Sequence, residues 1–301
     1  MATFRRDLYP FVGSYLHMDG IAMHYLDEGK GDPVVMLHGN PTWSFYYRNL
    51  VLGLRQHYRT IVPDHVGCGM SDKPDDRYYE YSLERRVKDL EALLEHLKLP
   101  ERLTLVMHDW GGMIGMGYAV RHPERIAKLV LLNTAAFHLP KTKKLPPSLW
   151  LCRNTPLDDF LIRRTGLFCR LVTRWCCCRP MTHQVRDAYL YPHNSSEKRL
   201  GHLRFVQDIP LRQDDRSYAL VSEVESRLDL FRETPTLILW GEKDFVFDQH
   251  FLEEWQKKLP AAEVHRFPQA GHLVLEDAGE EILPIVQRFL KRPPGRSEAT
   301  P

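Results

Sequence analysis

The sequence predicts an α/β fold: a mostly parallel sheet of eight strands with a helical cap inserted late in the sheet. Three observations carry this reading. Short β-rich runs alternate with longer helical patterns through most of the 301 residues, the rhythm of βα units. The rhythm fails between about residues 138 and 231, which hold no convincing buried strand and are rich in arginine, aromatic residues and cysteine. It then resumes with two further apolar runs.

The elements follow in chain order. "SYLHMD" and "AMHYLD" alternate in polarity on either side of Gly20 and read as an opening hairpin. "PVVMLHG" (33–39) and "RTIVPD" (59–64) are short apolar runs of the kind found in buried strands. A helical pattern at about 82–98 precedes the strand "RLTLVMHD" (102–109), which leads through a glycine turn into a second helical pattern at 111–122. "IAKLVLLN" (126–133) is the sixth strand. Residues 138–216 are the helical cap, residues 1–137 and 217–301 the core, and a helix leads from one back into the other. "TPTLILWG" (234–241), a helix at 248–259, "AEVHRFP" (262–268) and a helix at 279–291 complete the core. The ending "KRPPGRSEATP" is polar and proline-rich and is expected to fray.

Composition narrows the function classes. Charged residues make up 27% and net charge is +2, which does not point to nucleic acid. No apolar run approaches the ~18 residues of a membrane span. The opening "MATFRRDLYPFVGSYL" lacks the apolar core of a signal peptide, so a cytoplasmic location is expected. The cap carries 15 Lys+Arg against 7 Asp+Glu, leaving an acidic remainder, and this asymmetry predicts self-association through the basic cap. Six cysteines include Cys176, Cys177 and Cys178 in a row, which does not resemble an extracellular disulfide framework, since adjacent residues cannot readily bridge each other. They read as ordinary cap thiols, with metal binding, acylation or intermolecular bridging as alternatives; no histidine–cysteine spacing supports zinc. "DHVGCGMSDKP" (64–74) has two glycines but no phosphate-loop pattern and reads as a turn.

The chemistry concentrates at "MHDWGGMIG" (107–115). A strand, a tight glycine turn and a helix form the elbow that displays a nucleophilic serine in many enzymes, but here the position holds Asp109. A carboxylate is already ionised at neutral pH and needs no base to activate it. It acylates poorly, because attack on an ester gives a labile anhydride, but it displaces a leaving group from saturated carbon well. The resulting alkyl-enzyme ester is then hydrolysed. The competing reading, a plain helix N-cap, suits an isolated aspartate better than one in this setting.

His272, in "FPQAGHLVLED", falls between the last strand and the last helix, placed to take a proton from water. The order nucleophile, acid, histidine along the chain separates it from the other 14 histidines. Asp244, in "LILWGEKDFVF", is the candidate to orient it. Asp248 and Glu242 lie close and read as a helix N-cap and a solvated charge. The end of the sixth strand, the other place for an acid, holds Asn133. In "MLHGNPTWSFYYRNL", the backbone N–H of Asn40 could join that of Trp110 as an oxyanion hole. The side chains of the same two residues are N–H donors suited to a departing halide.

With "HGNPTW", "HDWGG", "WGEKD" and "GH" in this order, the chain resembles the haloalkane dehalogenases of the α/β-hydrolase superfamily over roughly residues 14–291. The resemblance implies Asp109 as nucleophile, His272 as base, Asp244 as acid, and Asn40 with Trp110 as the halide pair. It implies a small halogenated alkane and water as substrates, and neither metal nor organic cofactor. The sequence departs from members with the acid after the sixth strand and from those with a second, cap-derived tryptophan. Soluble epoxide hydrolases share "HDWGG" and use two cap tyrosines, for which Tyr189, Tyr191 and Tyr218 are available. A non-catalytic binding protein is the third reading. Trp150, Phe160, Phe168 and Trp175 are cap aromatics whose registers one sequence cannot fix.

Overall fold

In the computed structural model, which describes residues 6–100 and 102–293, the chain opens with a hairpin of β1 (Ser14–Met18) and β2 (Ile21–Glu28). Gly20 turns it at φ 78°, in the left-handed region that favours glycine. β3 (Asp32–Leu37) leads to α1 (Arg48–Leu54) and β4 (Tyr58–Pro63). α2 (Leu83–His96), β5 (Leu103–Asp109), α3 (Trp110–Arg121) and β6 (Ile126–Thr134) follow. Next come α4 (Pro147–Asn154), α5 (Leu167–Trp175), α6 (His183–Leu190) and α7 (Leu200–Gln207), then α8 (Tyr218–Ser226) leading back to β7 (Thr236–Gly241). α9 (Gln249–Lys258), β8 (Glu263–Phe267) and α10 (Val274–Lys291) complete the chain.

The strands form one sheet in the order β1-β2-β4-β3-β5-β6-β7-β8, antiparallel only where β2 meets β1 and β4. Side chains of a strand alternate between its faces. On β6, Leu129 and Leu131 pack into one core while Val130 and Leu132 pack into the other; on β7, Ile238 and Trp240 separate from Leu237 and Leu239 in the same way. α2, α3, α8 and α9 cover the first face, α1 and α10 the second. Both faces are therefore dry, which is why these strands read as continuous apolar runs.

Local signals set the helix ends. Ser82 caps α2 by accepting from the Arg85 N–H, and Asp248 caps α9 through the His250 N–H. α1 has no counterpart in the sequence reading, since "RNLVLGL" is too short to show a helical period. Tertiary contact holds it instead: the Arg48 guanidinium donates to both Glu276 oxygens on α10, at 2.5 and 2.9 Å. α10 begins earlier than the sequence predicts because Ala278 (φ −131°) kinks it, and the expected 279–291 is its second segment. The segment holding α4 to α7 has a small core of its own, formed by Cys152, Ile162, Leu203 and Val206. The expected frayed tail lies, from residue 294 onward, outside the described residues.

Candidate active site

Asp109 ends β5 at φ 51° and ψ −125°, a strained conformation from which α3 starts at once. The turn closes only because its neighbours are glycines. A Cβ on Gly111 would lie 2.0 Å from the Leu37 carbonyl oxygen, and one on Gly39 2.0 Å from Asp109 Oδ1. The crowding presses the carboxylate against the loop after β3, where the Asn40 backbone N–H donates to Oδ1 at 2.6 Å. The Trp110 backbone N–H donates to the same carboxylate. The two donors expected to form an oxyanion hole thus hold the Asp109 carboxylate itself. Burial raises the Asp109 pKa above the ordinary carboxylate value, with His272 and both N–H groups opposing the rise.

The other carboxylate oxygen faces His272, whose Nε2 lies 3.7 Å from Oδ2. His272 Nδ1 donates to Asp244 Oδ2 at 2.8 Å, and Asp244 Oδ1 accepts the Val246 N–H at 2.7 Å. All three residues are buried. Burial alone would lower the His272 pKa, but Asp244 and then Asp109 outweigh it and raise the value above that of ordinary histidine. Asp248 stands apart, capping α9 and pairing with Lys143 at 2.5 Å. Glu242 pairs with Arg266 at 3.3 Å.

Asn133, where no acid was found, braces the acid's loop. Its Nδ2 donates to the Gly241 carbonyl at 3.0 Å and its Oδ1 accepts the Gly241 N–H at 2.8 Å, tying β6 to the strand end that carries Asp244. Asn133→Ala removes the acceptor of the buried Gly241 N–H, while the Gly241 carbonyl keeps the Asp244 N–H at 3.4 Å, and should destabilise the fold by about 1–3 kcal/mol. Urea unfolding of the variant checks this, and an unchanged midpoint would remove the brace.

Two positioning residues escape the sequence reading. His108 Nε2 donates to the His272 carbonyl at 2.8 Å, fixing that loop from β5. Asp277 accepts from Gly271 N at 2.7 Å, Cys178 N at 2.9 Å and Arg179 N at 2.7 Å, so the "WCCCRP" turn is bound to the loop that carries His272. Leu273 N adds a bond to the Cys176 carbonyl at 3.0 Å. The only signals available were a histidine beside Asp109 and an aspartate five residues after His272, and neither declares a partner distant in sequence.

Asp109 and His272 line a cavity of about 490 Å³ with Asn40 and Trp110. The rest of its lining is predominantly apolar, including Phe137, Phe168, Leu171, Trp175, Ile209 and Phe247. The Trp110 indole N–H has no protein partner among the described residues and is free for a ligand. The Asn40 amide is less free: its oxygen accepts from His202 Nδ1 at 2.7 Å and its nitrogen donates to the His202 carbonyl at 3.2 Å. None of the three candidate tyrosines lines the cavity. Tyr189 donates to Glu276 at 2.5 Å, and Tyr218 stacks on His138 with ring centroids 4.0 Å apart. Cys176 also lines the cavity, and burial pushes its thiol pKa up.

Comparison with known proteins fits this geometry. The family model for the alpha/beta hydrolase fold matches residues 32–279. A cis-3-alkyl-4-alkyloxetan-2-one decarboxylase of Shewanella oneidensis is 54% identical over 94% of this chain and 89% of its own length. A haloalkane dehalogenase of Mycolicibacterium paratuberculosis is 32% identical over 91% of each chain. Among solved structures, a mutant of the haloalkane dehalogenase DatA from Agrobacterium tumefaciens superimposes with a TM-score of 0.83 at 25% identity, covering 93% of this chain and 97% of that one. The matched span contains the elbow, both carboxylates and the histidine, and the chain belongs to the α/β-hydrolase family.

Proposed function

We propose that the protein decarboxylates 3,4-dialkyl oxetan-2-ones, with Asp109 displacing the ring oxygen from the saturated carbon C4. The observation that carries this reading is an ionisable carboxylate on the elbow at the wall of a large, predominantly apolar cavity suited to two alkyl chains. The name and 54% identity of the Shewanella oneidensis relative support it. The nucleophile chosen from sequence needs no change of role: a lactone oxygen leaves a saturated carbon as carboxylate, as a halide leaves as an anion.

The steps balance without water. Asp109 Oδ2 attacks C4 opposite the ring oxygen; the C4–O bond breaks, leaving an alkyl ester on Asp109 and a carboxylate on C3. The bond from C3 to that carboxylate then breaks and its electrons form the C3=C4 double bond. The ester C–O bond cleaves, returning the Asp109 carboxylate, and carbon dioxide departs. Inversion at C4 sets the ester antiperiplanar to the departing carboxylate with both alkyl groups on one side, so a cis ring gives a cis alkene. The Asn40 and Trp110 N–H groups hold the ester carbonyl, and protonated His272, stabilised by Asp244, faces the carboxylate as it forms.

Hydrolytic dehalogenation is the second reading, favoured by the unpartnered Trp110 indole beside Asp109 and by the dehalogenase relatives. One experiment addresses both. The protein is incubated with a cis-3,4-dialkyl oxetan-2-one and, separately, with a long-chain bromoalkane, and alkene and free bromide are measured. Cis alkene is expected from the lactone; β-hydroxy acid in its place would overturn decarboxylation. If bromide is also released, Trp110→Phe should slow its release roughly 10²–10³-fold, by analogy with loss of one oxyanion donor. Bromide release insensitive to that change would remove Trp110 from the halide site.

A further inference from the structure

We propose that the mouth of the cavity is a docking surface for an anionic phospholipid bilayer. This goes beyond the reading above and does not depend on which leaving group departs. Leu151, Leu167, Trp175 and Phe245 line the cavity and are also exposed, Trp175 by 68%, so the cavity opens among them. Trp150 and Phe160, next in sequence to lining residues Leu151 and Leu161, are exposed by 52% and 55%. These six are half of the twelve exposed large hydrophobic side chains among the described residues. Such a concentration marks an interaction site rather than ordinary surface.

The charge around the mouth selects the partner. Residues 147–179 contain six arginines against two acids, Asp158 and Asp159, and Asp159 is held by Arg163 and Arg164. On α5, "LFCRLVTRW", Arg170 and Arg174 are exposed and have no carboxylate partner among the described residues. Arg153 of the same segment is instead paired with Asp215, as outside it Arg204 is with Asp76 and Lys143 with Asp248. An amphipathic helix with arginines among leucine, phenylalanine and tryptophan lies in the plane of a bilayer interface and is drawn there by anionic headgroups. No described helix is long and apolar enough to cross a membrane, so the contact is peripheral. A molecule apolar enough to fill the cavity concentrates in lipid rather than water, and the cavity opens at the surface that would touch the lipid.

The test is co-sedimentation of the full chain with phosphatidylglycerol–phosphatidylcholine vesicles and with pure phosphatidylcholine vesicles. Binding is expected only to the former, falling at least tenfold in 0.5 M salt as the Debye length shortens. Arg170→Glu with Arg174→Glu should cause a similar loss, while Phe160→Ser, which is not itself part of the cavity lining, should weaken binding with unchanged circular dichroism. Equal binding to both vesicles, or none to either, overturns the proposal. So does a concentration-dependent dimer that Phe160→Ser abolishes in the absence of vesicle binding, which would assign the patch to a second copy of the chain.

Discussion

Asp109→Asn should leave no measurable turnover on an oxetan-2-one or a bromoalkane, a loss of roughly 10⁴-fold or more, the scale of removing a covalent nucleophile. The amide keeps the shape and the oxygen that accepts the Asn40 N–H, so positioning survives while the attacking charge does not. Stability should not fall with activity. The carboxylate is buried, and burial is the main cause of its raised pKa, so the native protein bears a cost that a neutral side chain removes. The variant should melt at the same temperature or higher, as happens where an active site holds strain and charge for function. Calorimetry beside the activity assay checks both halves. An Asn variant retaining more than about a hundredth of parent activity would exclude Asp109 as nucleophile.

The central strands were legible because both their faces are buried, so β5, β6 and β7 appear in the sequence as unbroken apolar runs with turn signals at each end. The candidate site was legible for a related reason. Asp109 ends one strand and Asp244 and His272 each follow another, and strands of one parallel sheet bring such ends together. What escaped depends on partners far apart in sequence. His108 acts through the backbone of the histidine loop, Asp277 ties that loop to the Cys178 and Arg179 N–H groups, and the Asn40 amide is held by His202, 162 residues away. The proposed leaving group differs from the halide expected from sequence for a chemical reason: an elbow aspartate suits attack on saturated carbon, and a halide and a ring carboxylate both satisfy it. That choice rests with the cavity walls, which α4, α5 and α7 supply from a segment without periodic strands.

His272→Gln should separate the two chemistries proposed to begin at Asp109. In hydrolysis the imidazole must remove a proton from water, so the variant should release one equivalent of bromide and stop, with the alkyl ester persisting on Asp109 and turnover reduced about 10²–10⁴-fold. In decarboxylation no water is used and the ring acts by its charge, so the variant should continue to form alkene, slowed roughly 10²–10³-fold, and accumulate no hydrolysis-sensitive adduct. The parent enzyme's pH profile carries the same distinction. Asp244 and Asp109 raise the His272 pKa above its ordinary 6.5, so the ring is protonated below the raised value and neutral above it. Alkene formation should therefore decline as pH rises through that value, whereas bromoalkane hydrolysis should increase. Both should fail in acid as Asp109 protonates, and at a higher pH than the ordinary 3.8, because burial raises that carboxyl. Rates of alkene and bromide production between pH 4 and 9, with mass spectrometry of the Gln variant, make the measurement. An alkene rate that climbs with pH through the histidine transition would show that the neutral ring is the working form, and the charge-based role given to His272 would be lost.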